Sequence, residues 1–198
     1  RRAWLMDHTS AELGLAAVVR GNWDRAAYYA RNGYQRFLQV WSGLHPCAVA
    51  ARQDALHALQ RLVEIEEACD VAVTFRERGK DLASSGGAHA QGSPDHDVSR
   101  STSQAVAAVQ SLLSRWAHQL PDPAMGPPIV WSEVIDARKT TLDLLLRDLE
   151  RGHKATTNQI AELRLDVDHH LASIRYRAAM SAVAHGVRPV AKRHIKDA

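Results

Sequence analysis

Apolar residues recur along most of this chain at intervals of three or four positions, the spacing that places them on one face of an α-helix. The clearest run begins at Trp23 and ends at Trp41, and it continues through Ala26, Ala27, Ala30, Tyr34, Phe37 and Leu38. A shorter run over residues 10–20 precedes it, with Ser10 as a candidate N-cap and Gly21 as a candidate helix end. The pattern predicts a helix, a tight turn and a second helix.

Four further amphipathic runs follow, over residues 56–73, 106–120, 131–149 and 160–178. The prolines within residues 121–128 predict a rigid corner, and Gly152 is a candidate helix end. No stretch alternates between apolar and polar positions for long enough to predict a strand. The sequence therefore predicts an all-α protein of about six antiparallel helices joined by short turns.

Residues 79–103 have a different composition, rich in serine, glycine and charged residues and poor in apolar ones. Such a segment buries too little apolar surface to offset the entropy lost on ordering. We predict a flexible insertion over 79–103 that separates two sets of helical repeats, over 1–78 and 104–198.

The composition excludes several classes of protein. Of the 198 residues, 45% are hydrophobic and 24% charged, which is unlike a disordered chain, and two cysteines are too few for a disulfide scaffold. Cys47 and Cys69 are predicted to be buried, reduced thiols in an intracellular compartment. The formal net charge of +3 gives little indication of a nucleic-acid binder. No apolar run reaches the roughly 20 residues that span a bilayer.

The two ends of the chain suggest a segment of a longer protein. The sequence begins with Arg1 and closes in a run that is compatible with a helix. We expect the ends of such a segment to leave apolar faces uncovered, which predicts marginal solubility for the chain alone.

Motifs for chemistry are absent from the sequence. Neither Phe37 nor Phe75 stands in an Asp-Phe-Gly triplet, and no glycine-rich phosphate-binding loop occurs. His170 and Asp166 are spaced like two metal ligands on one helical face, but no third ligand accompanies them, and a solvated polar face is the preferred interpretation. We predict no catalytic, cofactor-binding or metal-binding residue in this chain.

The tryptophans and the basic C-terminal end are candidate contacts for nucleic acid. Because Trp23, Trp41, Trp116 and Trp131 are in register with apolar faces, they are predicted to be core anchors rather than platforms for bases. Six basic residues near the C-terminus could contact DNA or an acidic partner, although a solvated helix face is preferred. They are Arg175, Arg177, Arg188, Lys192, Arg193 and Lys196.

Residues 21–30 have the form of a tetratricopeptide-like helical hairpin, in which a glycine turn leads to an aromatic residue and then to small residues. Residues 22–29, with Tyr34, Phe37 and Leu38, resemble the FAT region of the phosphatidylinositol-3-kinase-related protein kinases. The resemblance continues in the same order over residues 42–44, 53–67, 113–116, 120–122, Met125, Pro127, 129–131, Ile135 and Arg138. It covers roughly residues 21–140.

The resemblance implies an α-solenoid that surrounds a kinase domain as a non-catalytic scaffold. Within the family, the chain is most similar to the member that the Ku heterodimer recruits to DNA double-strand breaks for non-homologous end joining. The implied parent is a large nuclear serine/threonine kinase whose kinase domain binds ATP and magnesium. The implied partners are that kinase domain, the neighbouring solenoid and, through the parent, Ku and DNA ends. No membrane, small-molecule ligand or cofactor is expected for the segment itself.

Two alternatives remain open from the sequence. A stand-alone tetratricopeptide-like adaptor would bind a peptide in its groove, and Arg31 and Asn32 lie on a suitable helix but are not repeated in a second unit. A small helical enzyme with dispersed catalytic residues is the other. Separately, Ser103 followed by Gln104 matches the Ser/Thr-Gln preference of the kinase family and is a candidate autophosphorylation site.

Overall fold

The computed structural model describes residues 2–41, 49–85, 94–120, 128–152 and 157–197. Within these ranges the chain forms seven helices and no strand. They are α1 (Arg2–Val19), α2 (Trp23–Trp41), α3 (Val49–Ser85), α4 (Pro94–His118), α5 (Pro128–Gly152), α6 (Thr157–Ala184) and α7 (Arg188–Asp197). The predicted all-α fold is confirmed, and α7 adds a helix to the six predicted.

Glycine turns form the first and last hairpins. Gly21 has a φ of 67°, and the amide of Asn22 donates to the carbonyl of Ala17 at 3.0 Å, which closes α1 in a Schellman motif. The Asn22 side chain then accepts from the amide of Arg25 at 3.1 Å and caps α2. Gly186, with a φ of 72°, closes α6 in the same way.

The helices pack as hairpins around a shared core. α2 packs on α1 and α3, α5 packs on α3 and α6, and α7 packs on α6, while α4 contacts both α3 and α6. Trp23, Trp116 and Trp131 are buried in this core, which confirms their predicted role as anchors. The side chain of Trp41 lies outside the described residues.

The first three helices approach one another closely at Gly33. A Cβ atom added there would lie 2.9 Å from the Cβ of Ser10 on α1 and 2.9 Å from both terminal methyl carbons of Leu62 on α3. The predicted N-cap role of Ser10 is wrong, because α1 begins at Arg2 and Ser10 is buried inside it. Its small side chain instead permits the close approach.

Helices extend into both ends of the segment that was predicted to be a flexible insertion over 79–103. α3 continues to Ser85, α4 begins at Pro94, and Ser101 and Thr102 are buried. Packing of α4 against α3 and α6 stabilises a helix that its local composition disfavours. Residues 86–93 lie outside the described part of the chain. Ser103 is exposed, but it lies within α4 rather than in a loop.

Candidate functional site

The most deeply buried charge in the described residues is the guanidinium of Arg138 on α5, where the residue is 1% exposed. Its Nη2 and Nε atoms donate to Oε1 of Glu64 on α3 at 2.6 and 3.2 Å. Glu64 is itself only 5% exposed. Burying either charge alone would be strongly unfavourable, so the two residues depend on each other.

Arg138 also binds the C-terminal end of α4. Its Nη1 atom donates to the backbone carbonyl of Trp116 at 2.9 Å, and its Cζ atom lies 5.2 Å from the centre of the Trp116 ring. The last carbonyls of a helix lack partners within the helix and carry partial negative charge. A cation at this position satisfies a carbonyl of the last turn of α4 and also contacts an aromatic face.

His170 brings α6 to the same place. Its Nε2 atom lies 3.3 Å from Nη1 of Arg138, and its ring centre lies 6.4 Å from that of Trp116. Burial, reinforced by the neighbouring charge of Arg138, lowers the pKa of His170 to about 4. The imidazole is therefore neutral at pH 7, and its Nε2 atom accepts a hydrogen bond from the guanidinium. We call Arg138, Glu64, Trp116 and His170 the Arg138 node.

Further polar contacts beside the Arg138 node involve α3 and the C-terminal end of α4. The indole of Trp116 donates to Glu67 on α3 at 2.9 Å. Gln60, also on α3, donates to Glu64 at 3.1 Å and to the backbone carbonyl of Gln119 at 3.3 Å. These bonds hold the end of α4 against α3.

A second ion pair joins Arg61 on α3 to Glu133 on α5. Desolvation by burial lowers the pKa of the Arg61 guanidinium, and the carboxylate of Glu64 counteracts this. Arg61 and Glu64 line a cavity of about 30 Å³ together with Trp116 and Arg138. Most of its other lining residues are apolar, and its volume is sufficient for a single water molecule beside these charged groups.

The chemistry of the Arg138 node is that of a permanent charge with fixed partners. A guanidinium stays protonated at physiological pH, and the neutral His170 is used as an acceptor. The arrangement therefore fixes the relative positions of α3, α4, α5 and α6. Across the described ranges, no group of three or more His, Cys, Asp or Glu side chains is arranged to hold a metal ion.

Several residues that the sequence singled out have other roles in the structure. His170 is buried in the Arg138 node rather than solvated, which corrects the predicted polar face, while Asp166 accepts from Gln110 at 3.1 Å. Cys69 is buried as predicted, donates to the carbonyl of Trp23 at 3.4 Å, and has a pKa raised to about 12, mainly by burial. Cys47 lies outside the described residues.

The candidate groove residues of the adaptor alternative have partners within the fold. Arg31 pairs with Glu66 on α3 at 3.1 Å, and Asn32 donates to the carbonyl of Tyr28 at 2.9 Å. Arg31 therefore helps to join α2 to α3.

The burial of Arg138 was not predicted from the sequence, where the residue stood out only within the resemblance to the FAT region. A signal was present, because Arg138 follows Trp131 and Ile135 at helical spacing and precedes Leu142 and Leu145 on the same face. A basic residue in the middle of an apolar face indicates a buried partner, which here is Glu64 on another helix.

The fold and the Arg138 node together define a class of protein, an array of packed helical hairpins stabilised by a buried ion pair. The comparisons then name the proteins that this chain resembles: it is similar to a segment of the DNA-dependent protein kinase catalytic subunit of several organisms. It is 27% identical to the subunit of Gallus gallus over 145 residues, or 73% of this chain. It is 29% identical to that of Mus musculus over 185 residues, or 88% of this chain. A shorter stretch of 71 residues, 36% of this chain, is 35% identical to the subunit of Dictyostelium discoideum.

The resemblance predicted from the sequence is thereby confirmed. The chain spans only 3% of the length of the Gallus gallus relative and 4% of that of the Mus musculus relative. No family model and no solved structure matches the chain. Among the described helices, none combines the length and the apolar character that crossing a membrane requires.

Proposed function

We propose that this chain is a scaffold segment of a DNA-dependent serine/threonine protein kinase, part of the FAT-type solenoid that surrounds and supports the kinase domain. The observation that carries the proposal is the extent of the similarity. It runs over 73–88% of this chain in the Gallus gallus and Mus musculus relatives, yet it occupies only a few per cent of each. Such a match is that of one structural segment within a much larger protein.

The proposed role follows from the contacts of the Arg138 node. Since Arg138 binds groups on α3, α4 and α6, a displacement of one helix strains its bonds to the others. The segment would transmit movement as a unit and contribute no catalytic group. In this proposal ATP and magnesium bind to the kinase domain of the parent protein, elsewhere in its chain.

The same proposal places the parent in the nucleus, in double-strand break repair by non-homologous end joining. Its partners there are the Ku heterodimer and DNA ends, and the partners of this segment are the kinase domain and the adjoining solenoid. The adaptor alternative is weakened because Arg31 is paired within the fold.

The test uses the parent protein that contains the segment, with Arg138→Lys. Lysine keeps the positive charge but loses the planar fork that reaches Glu64 and Trp116 together. We expect the rate of DNA-stimulated phosphorylation of a Ser-Gln peptide to fall severalfold, with an unchanged KM for ATP. Arg147→Lys, at an exposed position on the same helix, is the matched control and should leave the rate unchanged.

Equal rates for the two variants would contradict the scaffold role. A parent sequence that lacks an Asp-Phe-Gly segment and shows no phosphoryl transfer would contradict the kinase assignment and favour the adaptor.

A further inference from the structure

The outer face of α6 carries a row of large apolar side chains in solvent. Tyr176, Met180 and Val183 are 63%, 46% and 57% exposed, and Leu165 is 56% exposed. At about 100° per residue the first three of these positions fall on one line along the helix, whereas Leu165 lies three turns earlier and is flanked by Asp168 and His169. We call Tyr176, Met180 and Val183 the α6 stripe. It extends for about 10 Å, at 1.5 Å per residue.

Such a row is different from a scattered apolar residue on a protein surface. Tyr28 on α2 is equally exposed at 63%, but polar residues, among them Asp24 and Asn32, occupy the neighbouring turns of its face. Isolated exposed apolar residues are common, whereas contiguous ones mark surfaces that bind other molecules.

The charge around the α6 stripe has one sign. From His169 to Lys196 the chain contains six lysine and arginine residues and no aspartate or glutamate. Arg175 and Arg177 lie about 100° to either side of Tyr176 around the helix axis, so they border the stripe on both flanks. Arg188 and Lys192 are exposed on α7, which packs on α6.

We propose that the α6 stripe is a docking site for an acidic amphipathic α-helix of a protein partner. Apolar side chains spaced i, i+4 and i+7 on that helix would pack along Tyr176, Met180 and Val183. Aspartate or glutamate on its flanks would pair with Arg175 and Arg177, because the charges that border the stripe are positive. The proposal does not depend on the kinase assignment of the parent.

The apolar centre of the α6 stripe distinguishes this occupant from DNA. Contacts to a phosphate backbone come mainly from basic side chains, hydroxyls and amides, which would leave Tyr176, Met180 and Val183 without a role. A helix with one apolar face and acidic flanks would contact both the α6 stripe and the arginines that border it.

The test is fluorescence anisotropy of a labelled peptide with the longer protein that contains this segment. The probe is a designed helix with leucines at i, i+4 and i+7 and glutamates on both flanks. We expect saturable binding, weakened at least tenfold by Tyr176→Ala with Met180→Asp, and weakened by Arg175→Glu with Arg177→Glu. Tyr28→Ala, at an equally exposed position on α2, is the matched control and should bind as the parent chain does.

Three results would overturn the proposal. One is the absence of saturable binding, or its equal loss in Tyr28→Ala and in the variant with the Tyr176 and Met180 substitutions. Another is displacement of the peptide from this surface by duplex DNA or by phosphatidylserine vesicles at lower concentration than by unlabelled peptide. The third is self-association of the chain through the α6 stripe in sedimentation velocity, abolished by the same substitutions, with no binding of peptide.

Discussion

The Arg138 node and the α6 stripe both depart from the usual arrangement of a protein, in which charges lie on the surface and apolar groups lie inside. The node places charges inside the protein, where the Nε, Nη1 and Nη2 atoms of its guanidinium all face protein acceptors. The stripe leaves apolar side chains 46–63% exposed. The buried charge of Arg138 is therefore balanced by partners within the fold. The exposed apolar side chains of the α6 stripe could be covered only by another molecule.

The largest effect is expected from removing the charge of Arg138. Arg138→Met leaves Glu64 buried without its partner, and breaking a buried pair in this way is typically destabilising by about 3–5 kcal/mol. We expect a loss of this size in the free energy of unfolding, measured by urea denaturation followed by circular dichroism. A loss below about 1 kcal/mol, the usual value for a solvated pair, would show that the Arg138–Glu64 pair behaves like an exposed ion pair.

The second largest effect is expected from acid, which should weaken the Arg138 node. The pKa of His170 is lowered to about 4 in the folded chain, against 6.5 for an unperturbed histidine, so the unfolded chain binds the proton more readily between these values. Stability should therefore be lost as the pH falls from about 6.5 towards 4. The loss should reach roughly 2–3 kcal/mol, because a tenfold difference in proton affinity between the two states corresponds to about 1.4 kcal/mol.

The matched variants for the pH experiment are His170→Gln and His118→Gln. A glutamine carbonyl can accept from Arg138 without titrating, so His170→Gln should flatten the difference in unfolding free energy between neutral and acidic solution. His118 is exposed, and its substitution should leave the profile unchanged. Identical profiles for all three chains would show that His170 does not titrate in this way.

Surface ion pairs should contribute less than either change. Arg31→Ala removes a partly exposed pair with Glu66, which is worth about 0–1 kcal/mol. Thermal unfolding of this variant should resemble that of the parent chain. A loss of stability comparable to that of Arg138→Met would show that the exposure of an ion pair does not predict its contribution to stability in this protein.

The smallest effect on stability is expected in the α6 stripe. Tyr176→Ala and Val183→Ser alter side chains that contact little of the fold, so the free energy of unfolding should change by no more than about 0.5 kcal/mol. The same substitutions should raise the solubility of the chain by reducing exposed apolar surface. Strong destabilisation by either substitution would show that these side chains pack in the core, and it would contradict the exposed position of the α6 stripe.

Local patterns were sufficient to predict some parts of the fold and insufficient for others. Helical periodicity predicted α2, α5 and α6, and Gly21 marked the first turn, because these signals lie within a few residues. The helical start of α4 within residues 79–103 had no local signal, because burial of Thr102 depends on packing between helices. The partner of Arg138 could not be identified from the sequence, since Glu64 lies 74 positions away and Glu66 and Glu67 stand beside it.

The most direct test of the Arg138 node is a double-mutant cycle between Arg138 and Glu64, measured as unfolding free energies in urea. Arg138→Met and Glu64→Leu should each destabilise the chain, while the double variant should recover most of the loss, because neither charge is then left buried alone. The expected coupling energy is about 2 kcal/mol or more. Additive losses in the double variant would show that the two residues act independently and that the Arg138 node does not hold the four helices together.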